Sequence, residues 1–203
     1  MEYWSTIQHR DGSFDEFYPN ERGWVGPTAF TTYAAIESYN LLRADVPPEL
    51  DLRLRRSIAK AATFIGAGDF EEDHLGNHHA MACLAVWKAH KLLGNVDLLH
   101  AFEALWNGFL HYHEPDEGWS REYDGLDPGY LSATVSFLGK IYQDSHSQEI
   151  EEVCQSSIDT CSYFAYPNGF YGGSMGSRNT LHFYPHGFEI FGDVMPLARS
   201  VAD

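Results

Sequence analysis

The chain has 203 residues, 44% hydrophobic, 21% charged and 15% aromatic, enough for one well-cored domain over residues 1–203 and ordinary for a soluble globular protein. Its 29 acidic residues against 13 basic ones give a net charge of −16, which argues against nucleic acid, whose binding rests on phosphate neutralisation by Lys and Arg, and against an anionic membrane surface. Three cysteines without CxxC spacing (Cys83, Cys154 and Cys161), and no apolar run of membrane-spanning length, read as buried thiols in a cytoplasmic protein if Met1 is the native start.

From Trp4 to Pro27 the sequence reads as loop, with Asp11-Gly12 as a turn signal and Gly23, Gly26 and Pro27 at its exit. Helices are expected over about 28–43 and 49–65, the second with Leu50, Leu54, Ile58, Ala61 and Ile65 on one face. An acidic loop, GDFEEDHLGNHHA, leads into a helix over about 78–93. After the Gly94-Asn95 turn, Leu98, Phe102, Leu105, Phe109 and Tyr112 form another stripe. A helix opens at Asp127-Pro128, with Asp127 as its cap, and runs to about Gln143; another covers about 147–165. The glycine-rich run from Tyr166 to Glu189 reads as loop, and the tail from Ile190 is too ambiguous to assign. No strand period stands out, so the fold class is all-α.

A repeat organises these helices. Asp11-Gly12-Ser13-Phe14, Gly68-Asp69-Phe70, Glu117-Gly118-Trp119 and Asn168-Gly169-Phe170 each set glycine beside an aromatic. Their glycines at 12, 68, 118 and 169 lie 56, 50 and 51 residues apart, with two helices in each interval. Such a period predicts about three stacked helical hairpins, with the decorated loops on one functional rim.

The richest of these loops is Asp116–Leu131, which gathers Trp119, Arg121, Glu122, Tyr123, Asp127 and Tyr130 at the mouth of a helix rather than inside a core. Aromatic and charged side chains in a loop are the usual dress of a binding site; the plainer reading is a connector that plugs the end of a bundle. Asn77-His78-His79 opens a helix, with Asn77 as cap or as part of a donor pair. Glu71, Glu72, Asp73, His74, His78 and His79 are close in sequence, yet no HExxH or CxxC occurs and no metal or other cofactor is expected. His111 and His113 fall at a helix end and read as a cap. Arg10, Arg22, Arg121 and Arg178 are the loop arginines, suited to carboxylate recognition unless Glu21, Glu122 or Glu189 pairs with them. His182 and His186 accompany Arg178.

GNHHA (76–80), EGWSREYDGLDPGYL (117–131) and GGSMGSRNT (172–180) together resemble the α/α-toroid domain of the heparinase II/III and alginate lyase superfamily. That resemblance implies a partial toroid, which fits a fragment of a longer protein, acting by β-elimination on uronic-acid-containing saccharides. It implies that Asn77 and His78 neutralise the substrate carboxylate, with Tyr130 or Tyr123 as the base. Trp24, Trp119, Arg121, Glu122, Asp127, Arg178, His182 and His186 complete the substrate-binding set. IQHRDGSF (7–14) is similar to the repeats of terpene cyclase and prenyltransferase toroids, a rival of the same architecture. A non-catalytic helical scaffold binding a partner through its rim is the alternative from another class. The expected ligand is thus an acidic saccharide, with no nucleic acid and no membrane; oligomeric state is left open.

Overall fold

A computed structural model of the chain describes residues 1–15, 24–68 and 75–203. Glu21, Arg22, Gly23, Asp69, Phe70, Glu71, Glu72, Asp73 and His74 lie outside the described residues, and so do the readings that rest on them. The described residues are mostly helical, in the order α1 (Glu2–Ile7), α2 (Val25–Leu42), α3 (Pro48–Ala67), α4 (Gly76–Leu93), α5 (Val96–Leu110), β1 (His113–Glu114), β2 (Trp119–Ser120), α6 (Pro128–Ser145), α7 (Gln148–Ser162), α8 (His186–Phe191) and α9 (Pro196–Ala202). Among them no helix is long and apolar enough to cross a membrane. They form two compact units: residues 1–73 with 81–107, and residues 74–80 with 108–203.

In the first unit α2 and α3 form a helical hairpin. Pro48 at the first turn of α3 needs no backbone N–H there, and Leu54, Ile58, Ala61 and Ile65 are buried at helical spacing. Tyr39 fastens the hairpin by donating its hydroxyl to Asp51. Trp87 of α4 packs on Phe102 of α5 with ring centroids 5.0 Å apart. The expectation of loop from Trp4 to Pro27 is corrected at both ends. Glu2–Ile7 is a helix packed on α3, with Trp4 stacked on Phe14 at 4.8 Å, and α2 begins at Val25. Two turns are too short to show a period, and the stack that holds them is a tertiary contact.

In the second unit α6 and α7 form the matching hairpin, with α8 on α6 and α9 on α7 and α8. Asp127 caps α6 as expected, accepting from the Tyr130 N–H at 3.1 Å, and Ser147 does the same for α7. His146, at φ 50°, ends α6 in the left-handed conformation more usual for glycine. His113 is not a helix-end cap. Helix α5 stops at Leu110, and His113 pairs with Ser120 in a two-stranded antiparallel ladder, a strand element that the period did not show.

Both units use one device at the same place in their hairpin. Gly12 (φ +99°) lies so close to the Lys60 carbonyl, on the C-terminal half of α3, that an added Cβ would sit 2.4 Å from the oxygen. Gly118 (φ +68°) lies likewise against the Ser156 carbonyl of α7, at 2.3 Å. These two glycines therefore fail to tolerate a side chain on two independent grounds, backbone conformation and contact, whereas Gly68 of the repeat has an ordinary negative φ. Gly169 (φ +83°) has the same conformation but no atom within 4 Å. Gly118→Ala is accordingly expected to destabilise the fold by several kcal/mol and Gly169→Ala by only about 1–2 kcal/mol, the cost of the left-handed conformation alone. Urea denaturation of the two variants checks this, and equal losses would refute the docking.

Candidate functional site

The site is built around the first turn of α6. Asp127 is fully buried and its carboxylate accepts three backbone N–H groups: Tyr130 on one oxygen, Arg178 (2.9 Å) and Thr180 (3.4 Å) on the other. The cap of α6 thus also holds the 177–180 segment onto the helix end. Ser177 adds two bonds to the preceding loop, its N–H to the Leu126 carbonyl and its hydroxyl to that of Glu122 (2.8 Å). Further along, the buried hydroxyls of Ser132 and Ser136, one turn apart on α6, bond the backbone of Tyr184 and Gly187. The glycine-rich segment is therefore stitched along α6 by side chains that the helix offers at i and i+4 spacing.

Glu122 is the second buried carboxyl. It receives the Asn77 backbone N–H at 2.6 Å and the Asn77 side-chain amide at 2.9 Å. Asn77 is therefore not the cap of α4, which starts at Gly76; it lies in the first turn, buried, with its amide turned to Glu122. Burial pushes the Glu122 carboxyl up to about 8, the Asn77 bonds acting against the shift and the Asp127 charge adding to it. A protonated carboxyl and an amide turned over satisfy the same pair, so the clasp survives in either charge state. Glu122 and Asp127, expected at an open helix mouth, lie inside the packed base of the site.

What faces solvent is a small cluster of cations and rings. Tyr123 (φ 57°) is exposed, and the Arg178 guanidinium lies over its ring, 4.1 Å from the centroid. Arg121 donates from Nε to the Tyr123 carbonyl at 3.1 Å. Both arginines are exposed, and among the described residues no carboxylate pairs with either. The expected alternative, pairing with Glu122 or Glu189, does not occur: Glu122 is engaged by Asn77, and Glu189 faces His186 at 3.6 Å. Tyr130 and His78 are half-buried, each in the first turn of its helix.

The remaining predicted residues are more scattered. Trp119 is half-buried in β2, donating its ring N–H to Glu117. His182 and His186 are exposed where the chain follows α6 away from its first turn, His182 against Tyr184. Trp24 belongs to the first unit and lies just before α2, more than a third exposed. Ser132 and Ser136 are not among the residues expected from sequence, although a serine pair at i and i+4 on a largely apolar helix is a readable signal. Among the described residues no group of three His, Cys, Asp or Glu side chains is placed to hold a metal ion. Comparison with known proteins finds no matching family, no matching curated protein and no matching solved structure. What the cluster can do chemically therefore rests on its own geometry: two arginine forks and a flat ring held on a hydrogen-bonded base.

The buried base predicts a pH dependence. Glu122 keeps its proton in the fold up to about 8 and loses it in the unfolded chain near the ordinary value of about 4.5. Its contribution to stability is thus complete at low pH and declines as pH rises towards 8. His113, pushed down to about 4 by burial, acts in the opposite sense: its contribution is complete above about 6.5 and is lost as pH falls through 4. The two effects oppose each other below about 6.5, so Glu122 acts without that opposition between about 6.5 and 8. Across that interval the wild type is expected to lose stability with rising pH, and Glu122→Gln to show a flatter profile, in urea titrations at stepped pH. Parallel profiles would show that Glu122 is already ionised.

Proposed function

We propose that this chain is a partial α/α-toroid domain of polysaccharide-lyase type, binding uronic-acid-containing saccharides on the Arg121–Tyr123–Arg178 surface and acting on them by β-elimination. The observation that carries the reading is the pair of exposed arginines, without a carboxylate partner among the described residues and organised on one tyrosine, in a chain of net charge −16. An excess of acid elsewhere repels anions at long range, so arginines held this way suit local carboxylates and not a densely sulfated polymer. The glycine device shared by the two hairpins supports a repeating αα architecture.

In this reading an arginine fork takes the uronate carboxylate, and the Tyr123 face receives the sugar ring. Neutralising the carboxylate lowers the cost of negative charge on the adjacent carbon. Tyr130, as the base, removes the proton from that carbon. The electron pair forms the carbon–carbon double bond, the glycosidic C–O bond at the β-carbon breaks, and the leaving oxygen takes a proton from the phenol. His78 assists at the carboxylate, while Asn77, engaged by Glu122, fixes the start of α4.

Calorimetry with oligouronates should give weak, salt-sensitive binding that Arg178→Ala reduces about tenfold, the loss of one charge-assisted contact. Tyr130→Phe should leave that binding intact and abolish the ultraviolet absorbance of the unsaturated uronate product. Wild type that binds no saccharide overturns the reading. A second reading, a scaffold that binds a protein partner, is favoured by the exposed Tyr163, Tyr166, Phe170, Met175 and Leu181 of the second unit. Capture of a protein partner by wild type, lost on Phe170→Ser, would support it.

A further inference from the structure

A second cation cluster lies in the first unit, on residues that take no part in the site described above. A cleft of about 440 Å³ is lined by Arg10, Arg53, Arg56 and Lys60, with Gln8 and Glu49 among the polar residues of its wall. Four of the 13 basic residues of a strongly acidic chain thus face one hollow. Arg53, Arg56 and Lys60 recur at i, i+3 and i+7 along α3, so they share one face over about 10 Å of helix. Arg10 comes from the chain after α1. That segment is held to α3 by the Gln8 amide, which donates to the Ser57 carbonyl at 2.8 Å and the Gly12 carbonyl at 3.1 Å. Arg53 pairs with Glu2 at 2.8 Å, and His9 with Asp15 at 2.7 Å. Among the described residues Arg10, Arg56 and Lys60 have no such partner.

We infer that this cleft binds a phosphomonoester of a small polyhydroxylated molecule, a sugar phosphate in size and chemistry. Three cations without a carboxylate among the described residues are more than one carboxylate balances, whereas a phosphomonoester brings close to two charges and oxygens that match the arginine fork. The hollow falls in the size range of small-molecule sites, with room beyond a bare phosphate for an organic body. Glu49 on its wall accepts hydrogen bonds from hydroxyls and repels further negative charge, which favours a neutral, hydroxyl-rich body. The net charge of −16 opposes a long polyanion laid across the same surface.

The experiment is calorimetric titration of the full chain with glucose-6-phosphate, inorganic phosphate, glucose, glucuronate and a short DNA duplex. Glucose-6-phosphate is expected to bind at least tenfold more tightly than glucuronate or glucose, less tightly as salt rises, and more tightly than inorganic phosphate. The double variant Arg56→Ala/Lys60→Ala should weaken it at least tenfold. Arg43→Ala, a cation of the same unit outside the cleft, and Arg178→Ala, in the proposed uronate site, should leave it unchanged. Both cleft side chains are exposed, so the double variant is expected to keep its helical circular dichroism; Arg56→Gln and Lys60→Gln singly give the same readout if it does not. The inference is overturned by any of four results: no binding to wild type, equal affinity for glucuronate in Arg178→Ala, an unaltered double variant, or tighter binding of DNA. None of these bears on oligouronate binding at Arg178, so the two sites fail independently.

Discussion

The second unit depends on the burial of one carboxylate. Asp127 has no exposed surface, and a charge removed from water is tolerated only where donors replace its hydration. Here the donors are three backbone N–H groups, one from the first turn of α6 and two from a segment more than fifty residues later. The helix cap and the loop tether are therefore the same group, and neither can move without exposing the other. Gly176 lies so close to Asp127 and Pro128 that a Cβ there would approach both within 2.7 Å, which shows how tightly the segment is drawn onto the helix end.

Around that anchor the buried polar groups are shared out among long-range partners. Glu122 clasps the first turn of α4 through Asn77, its carbonyl accepts from Ser177, and the nearby Asp127 charge favours its neutral form. Burial makes a second ionised carboxylate beside the first costly in spite of the Asn77 donors; keeping the proton removes that cost. The exposed pair of Tyr123 and Arg178 stands on this base, so the positions of the rings and guanidinium groups are set by hydrogen bonds beneath them and not by their own packing.

The distribution of charge has a similar logic. With acids more than twice as numerous as bases, cations that meet no carboxylate among the described residues stand out, and two clusters of them occur. One is the tyrosine-organised pair Arg121 and Arg178; the other is the α3 cleft with Arg10, Arg56 and Lys60. The two differ in what surrounds them: an aromatic face in one, a hollow with a single carboxylate on its wall in the other. That contrast is the basis for assigning them different anions.

The sequence by itself determined the long helices. Apolar spacing placed α3 to α7 to within a few residues, because burial of a helical face is written directly in the period. It also determined the Asp127-Pro128 start of α6, since a cap acts over three residues, and it pointed to glycines at 12 and 118 as special turns. Tertiary structure alone decided the rest. It made a helix of Glu2–Ile7, put His113 in a ladder, turned Asn77 from a cap into the partner of Glu122, and sent Glu122 and Asp127 inside. It also engaged Glu122 with Asn77 and turned Glu189 to His186, leaving neither to pair with Arg121 or Arg178. The reason is range. Periods and caps are local, whereas a polar side chain's partner is chosen among groups brought together from 45 to 55 residues away, and its burial follows from that choice.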